Sequence, residues 1–541
     1  MKRRTVYAAI TVIIVFVVFA VYWGLFRPNN NSGPVDTSSN VELASRSKAD
    51  SIARFQQLFC GQYAKPNSNE FIVEYSLPGR CEMPLGIALD GNVTNVWYVS
   101  TKNGTLGSYN IKENKFDKEF TIPEWNARKS PIDSSQVWDV KIDQRGDVWF
   151  TDEKQNAIWR FINSSHEFEM YTIPEKSKSF GTTYPVAMDF DSMGNVYFVG
   201  IRSPSLWFAD KAKLKNGTSE GISRIPIPTE KFKGMDPDLI STGSVAYDTK
   251  NNSVWVSMLS FQRKGEIFKY NIGDRNFESF DMPKELNSPV GITLDGLGNP
   301  WITDHGTSIF YKLDASTGSI TKFSTSQVSS RIFGDTNKRP VGAYTLPYWI
   351  KIGENGELWF NEHVGNKIAR FDPSNLTLVE YWIPSQNKLW GQCSFTSQSC
   401  GIANALQFSG GHNGQLWFTE WSENKIGRLN VNKQLPFLVS TTPEELNLTR
   451  GNSAEIKVLV QATSDVTVNM TAASTISSTG DISNSTGYFS EESSQIGAGK
   501  SKQISFIFTP SADVLPGEYT LMLGADNKVV SYLKAVKINI L

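Results

Sequence analysis

At 541 residues the chain is longer than one ordinary hydrophobic core organises, so it predicts two or more domains, one of them a large repeat array. Its 53 basic and 54 acidic residues nearly cancel, which leaves no charge excess to make nucleic acid or another polyanion the main partner.

In chain order, Lys2, Arg3 and Arg4 precede an almost unbroken apolar run from Val6 to Phe26. The run is long enough for a transmembrane helix, and Tyr22 and Trp23 stand where an interfacial aromatic belt belongs. Basic residues before the run predict a cytoplasmic tip and single-pass cell-membrane anchor over residues 1–27, with the bulk of the chain extracytoplasmic. A cleaved signal peptide is the competing reading. Residues 28–60, rich in Asn and Ser, read as a stalk that ends in a short helix over Ala49–Phe59. An oxidising exterior suits the four cysteines, with Cys60 and Cys81, and Cys393 and Cys400, near enough in sequence to pair as disulfides. Sequons such as Asn92 and Asn216 fit a glycoprotein in the same place.

Residues 61–438 carry an internal repeat. Its anchor is a Trp- or Tyr-centred strand, at Val96-Trp97-Tyr98, Val148-Trp149-Phe150, Val196-Tyr197-Phe198, Val254-Trp255-Val256, Pro300-Trp301-Ile302, Leu358-Trp359-Phe360 and Leu416-Trp417-Phe418. Four short strands per unit, repeating every 40–50 residues or so, predict an all-β, seven-bladed β-propeller. The segment Phe71 to Pro78 reads as a fourth strand placed before the first unit, and it is expected to complete the seventh blade and close the ring. Asp-x-x-Gly-Asn stretches such as Asp191 to Asn195 read as hairpin turns. Over residues 439–541 the Trp repeat stops and alternating Ser/Thr-rich strands predict a small immunoglobulin-like β-sandwich acting as a spacer or adhesive module.

Candidate chemistry lies just after the Trp strands, at Asp152, Asp304, His305, Glu362, His363, Glu420 and Trp421. If the Trp strand stands near the axis, these side chains ring the channel mouth. Two readings follow. Asp152, Asp304, Glu362 and Glu420 hold a divalent cation, magnesium or calcium, with His363 and His305 as the acid/base groups, or the acids merely solvate the rim. Tyr348, Trp349 and Trp421 are the expected ligand-binding walls, and a Cys393–Cys400 disulfide would hold Trp390 and Phe395 over them.

The stretches Leu358-Trp359-Phe360-Asn361-Glu362-His363-Val364-Gly365-Asn366-Lys367-Ile368-Ala369-Arg370 and Leu416-Trp417-Phe418-Thr419-Glu420-Trp421-Ser422-Glu423-Asn424-Lys425-Ile426-Gly427-Arg428-Leu429 resemble the streptogramin lyase (virginiamycin B lyase) propellers, a likeness spanning about residues 71–440. The resemblance implies a magnesium-assisted elimination on a cyclic depsipeptide, with a metal at the propeller mouth and a histidine base in a Glu-Pro-His-Gly segment. Here the corresponding segments are Met83-Pro84-Leu85-Gly86, Ser288-Pro289-Val290-Gly291 and Leu346-Pro347-Tyr348-Trp349, none with the histidine, so His305 or His363 would have to substitute. The function expected first is binding of a small-molecule, peptide or cell-envelope ligand at the mouth. A metal-dependent lyase or hydrolase is the alternative.

Overall fold

The computed structural model describes residues 50–541 except 51, 55, 62–66, 126–135, 176–180, 236–238, 261–262, 330–331, 333–343, 391–399, 413 and 478–484. The expected membrane anchor lies outside the described residues, among which no helix is long and apolar enough to cross a membrane.

Antiparallel sheets follow one another along the chain and form seven blades of a β-propeller. Their first strands are Pro84–Leu89, Val140–Ile142, Pro185–Phe190, Ile240–Asp248, Pro289–Leu294, Pro347–Ile352 and Phe408–His412, and each pairs with the Trp- or Tyr-bearing second strand that follows it. Tight hairpins make this local. Asp191 Oδ1 accepts the amides of Met193 and Asn195 while Gly194 takes φ +80°, so the aspartate is consumed by its own turn. Neighbouring blades contact each other around the ring, first strand on first strand at most junctions and through a second strand between blades 2 and 3 and blades 6 and 7, and the seventh blade contacts the first. Closure comes from Ile72–Ser76, which pairs antiparallel with Lys425–Asn430 as the outer strand of blade 7, with the Cys60–Cys81 disulfide beside it.

The expected place of the Trp strands needs correction. The first strands surround the axis, and the Trp strands stand one place farther out, between blades. The physical reason is room. At the axis the backbones approach so closely that a Cβ on Gly243 would collide with the carbonyl of Pro289, and one on Gly291 with that of Tyr348. Indoles fit only between the broad blade faces. Trp149 packs on Phe198 and Trp207 of blade 3, Trp301 on Phe360 and Phe371 of blade 6, and Trp417 on Tyr98 and Tyr109 of blade 1, all fully buried. At about 25 cal/mol per Å² and 150–250 Å² per ring, each contributes roughly 4–6 kcal/mol of burial before entropy is counted.

The C-terminal segment is a two-sheet sandwich, but it is not hung from the propeller as a spacer. The outer strand of blade 6, Thr377–Trp382, pairs antiparallel with Val530–Ile540, so blade 6 continues into one sheet of the sandwich as nine strands. Leu378, Leu533, Ala535 and Met522 share a core with Phe323 and Phe371 from blades 5 and 6. An outer strand otherwise open at its edge is thereby covered.

Candidate functional site

The last residues of each second strand divide the work. The side chain before the acid clasps the next blade: Thr303 Oγ1 donates to the Tyr348 carbonyl, Asn361 Nδ2 to the Ala405 carbonyl at 2.6 Å and Thr419 Oγ1 to the Leu85 carbonyl at 2.9 Å. The acids that follow are fully buried. Asp152 accepts the Trp159 indole N–H at 3.0 Å and the Gln155 amide at 3.2 Å. Asp304 accepts the amides of Asn287, Ser288 and Gly306 at 3.0, 2.6 and 3.0 Å and the Thr307 hydroxyl at 3.0 Å. Burial raises its carboxyl to about 6 in spite of those four donors.

Glu362 and Glu420 take a different course, the same in both blades. Lys367 Nζ lies 2.6 Å from Glu380 and 3.8 Å from Glu362, and Ser326 donates its amide and hydroxyl to Glu380 at 2.7 and 2.5 Å. In blade 7, Lys425 lies 3.0 Å from Glu74, which accepts the amide and hydroxyl of Ser385 at 2.8 and 2.6 Å. One ammonium therefore serves two carboxyls. Burial, and then the Glu380 charge, push Glu362 well above the usual carboxylate range, while Lys367 and Ser326 overcome burial to hold Glu380 below it. Burial and the Glu74 charge raise Glu420 in the same way. Glu362 and Glu420 are enclosed in protein, and among the described residues neither carboxyl has a hydrogen-bond partner on either oxygen.

Asp152 and Asp304 are taken up by donors of their own surroundings and Glu362 lies 3.8 Å from Lys367, and among the described residues no group of three or more His, Cys, Asp or Glu side chains is placed to hold a metal ion. Sequence reasoning missed Glu74, Glu380, Lys367 and Lys425. Their signal was the paired spacing Glu362 to Lys367 and Glu420 to Lys425, and the repeated Val-Glu-Tyr of Val73 to Tyr75 and Val379 to Tyr381.

The two histidines do meet. His305 Nε2 and His363 Nδ1 are 3.0 Å apart, with rings nearly parallel and 5.2 Å between centroids. Tyr348 meets His305 edge-on at 4.4 Å, and His363 Nε2 lies 2.8 Å from Asn404 Oδ1. With Asn404 accepting, His363 carries its proton on Nε2 and accepts at Nδ1 from His305 Nε2–H, which leaves His305 Nδ1 as an open lone pair. Burial lowers His363 to about 4, and burial together with His363 puts His305 well below the ordinary value. At neutral pH the pair is uncharged. It is a hydrogen-bond acceptor and a weak base.

Of the expected walls, only Tyr348 stands with the histidines. Trp421 is covered by Phe59, at 4.8 Å between rings, and by Trp390. Trp349 lines a cavity elsewhere on the axis. Below the histidines the axis is filled by aromatics: Tyr348 meets Trp138 at 5.8 Å across the ring, and Trp138 Nε1 donates to the Tyr184 hydroxyl at 3.1 Å. Cys400 is disulfide-bonded, and Cys393 and Phe395 lie outside the described residues.

No family profile matches the sequence, and no curated protein does. Among solved structures, a streptogramin B lyase matches at 20% identity over 67% of this chain and 98% of that one, with a TM-score of 0.50. The virginiamycin B lyase of Staphylococcus aureus matches at 20% identity over 66% and 98%, with a TM-score of 0.49. YCF48 from Cyanidioschyzon merolae matches at 10% identity over 66% and 99%, with a TM-score of 0.46. The likeness to streptogramin B lyase shows a related propeller fold.

Proposed function

We propose that this chain is a membrane-anchored, extracytoplasmic binding propeller that takes a small-molecule, peptide or cell-envelope ligand at the end of the axis where His305 and His363 lie. The observation that carries the reading is the neutral histidine pair, which ends in a lone pair on His305 Nδ1 at a half-buried position beside Tyr348. A group of that kind selects a ligand N–H or O–H donor and does little proton abstraction at neutral pH. The basic flank and apolar run of residues 2–26 support the anchor and the orientation.

The full chain in detergent, titrated with a panel of linear and cyclic peptides that includes streptogramin B depsipeptides, is expected to bind at least one member. His305→Phe, which keeps the ring and removes the acceptor, is expected to lower that affinity about tenfold, the value of one hydrogen bond to a buried group. Failure of the whole panel, or equal binding by the variant, ends the reading. Turnover of a streptogramin B depsipeptide would replace it with the lyase alternative.

A further inference from the structure

A cavity of about 430 Å³ occupies the axis, lined from all seven first strands. It lies at the end opposite the histidines. In blade 5, Asp304, the neighbour of His305, is paired with Pro289 at the start of the first strand, whereas Ile292 and Thr293 from the strand's far half line the cavity. Trp349 walls it, with the Tyr348–Trp138 layer toward the histidine side. The volume is that of a small-molecule site.

Four charged side chains from the first strands or just beside them matter here, Asp139, Lys141, Asp143 and Lys351. Lys141 is spent on Asp189, at 2.7 Å, and Asp143 on Lys211 at 3.3 Å and on the amides of Arg145 and Asp147. Two charges remain. Among the described residues Asp139 accepts the Met188 amide, at 2.9 Å on Oδ2, and the Lys351 ammonium has no hydrogen-bond acceptor, with the Phe408 ring 5.7 Å from it. They line the same cavity, yet no ion pair within 4.0 Å joins them. Burial pushes Lys351 down to about 8 and raises Asp139, while the charges of Lys141 and Lys351 act on Asp139, and that of Asp139 on Lys351, in the opposite sense.

We propose that this second axial cavity binds a small zwitterion, a free α-amino acid or short peptide, with the ligand carboxylate on Lys351, its ammonium on Asp139 and its side chain against Trp349. A simple anion would satisfy Lys351 and leave Asp139 facing it; a simple cation would do the reverse. Only a ligand carrying both charges pairs both groups. The site is independent of the histidine end.

The test uses the full chain in detergent, with the common free amino acids and a set of dipeptides at millimolar concentration, each beside its N-acetylated and C-amidated form, and with sulfate and phosphate as simple anions. A ligand bound to the folded state alone raises the melting temperature. At least one zwitterion is expected to raise it while both of its capped forms fail. Calorimetry should then show affinity reduced about tenfold or more in Lys351→Met and in Asp139→Asn, the loss expected from a charge-assisted hydrogen bond. Lys351→Arg should retain binding, and so should His305→Phe. The proposal is overturned if no free amino acid or dipeptide stabilises the wild type, if capped forms bind as well as free ones, if sulfate or phosphate does as well as the zwitterions, or if Lys351→Met binds unchanged. Should either variant misfold, the capped series on wild type still decides.

Discussion

Asp304 and Glu362 end the second strands of adjacent blades and are equally buried, yet Glu362 is pushed well above the usual carboxylate range whereas Asp304 rises only to about 6. Asp304 is folded back onto three amides and a hydroxyl, donors that favour its anion enough for ionisation above about 6. Glu362 meets a lysine already held by Glu380, and burial together with the Glu380 charge pushes its carboxyl well above the usual range. Strand position therefore sets burial, whereas the local count of donors and cations sets charge. Glu420 repeats the Glu362 solution because the closing strand brings Glu74 to the place that Glu380 holds in blade 6.

The largest effect expected from breaking this contrast is at the shared cation. Lys367→Met leaves Glu380 without its partner and should lower stability by about 3–5 kcal/mol, read as a shift in the denaturant midpoint. Glu380→Gln should cost clearly less, because Glu362 can ionise in its place, and the double variant Glu362→Gln/Glu380→Gln should approach the lysine loss. Equal costs for Glu380→Gln and Lys367→Met would refute the shared ammonium.

Next in size are two opposed pH dependences. The Asp304 carboxyl is raised from 3.8 to about 6, so the folded chain holds that proton more tightly than the unfolded one, and the contribution to stability is lost as pH rises through that window. His363 is lowered from 6.5 to about 4, so the unfolded chain takes that proton first, and stability falls as pH drops through its window. Each amounts to about 3 kcal/mol and they largely cancel. Relative to wild type, Asp304→Asn should gain stability as pH rises between about 4 and 6, and His363→Gln should gain stability as pH falls between about 6.5 and 4, both read as the difference in melting temperature against pH.

The smallest effect sharpens the contrast most. Glu362→Gln and Glu420→Gln replace a neutral acid with a neutral amide of the same shape, so each should change stability at neutral pH by no more than about 1 kcal/mol. Infrared spectra of the wild type should carry a protonated-carboxyl band at neutral to mildly alkaline pH, diminished in each variant. Absence of that band in wild type would mean that both glutamates are ionised.

The blade count was legible because each Trp strand and its Asp-x-x-Gly-Asn hairpin are local signals, repeated within one unit of chain. The closing strand was legible for the same reason, since Phe71 to Pro78 carries the pattern of an outer strand. The acids were visible as residue types at the right register. Their state was not, because the deciding partners come from other strands: Ser326 from the end of blade 5, Ser385 from the end of blade 6, and Glu74 from a segment more than 300 residues from Glu420.

By itself, then, the sequence determined the repeating unit, the ring it builds and the turn chemistry, all of which depend on neighbours within a few tens of residues. Tertiary structure alone decided that first strands and not Trp strands reach the axis, where backbones approach so closely at Gly243 and Gly291 that a Cβ would collide. It alone joined Thr377–Trp382 to Val530–Ile540 in one sheet, brought His305 and His363 to hydrogen-bonding distance, and set Asp139 and Lys351 in one cavity with no ion pair within 4.0 Å between them. Each of these depends on contacts between groups whose separation in the chain carries no local signal.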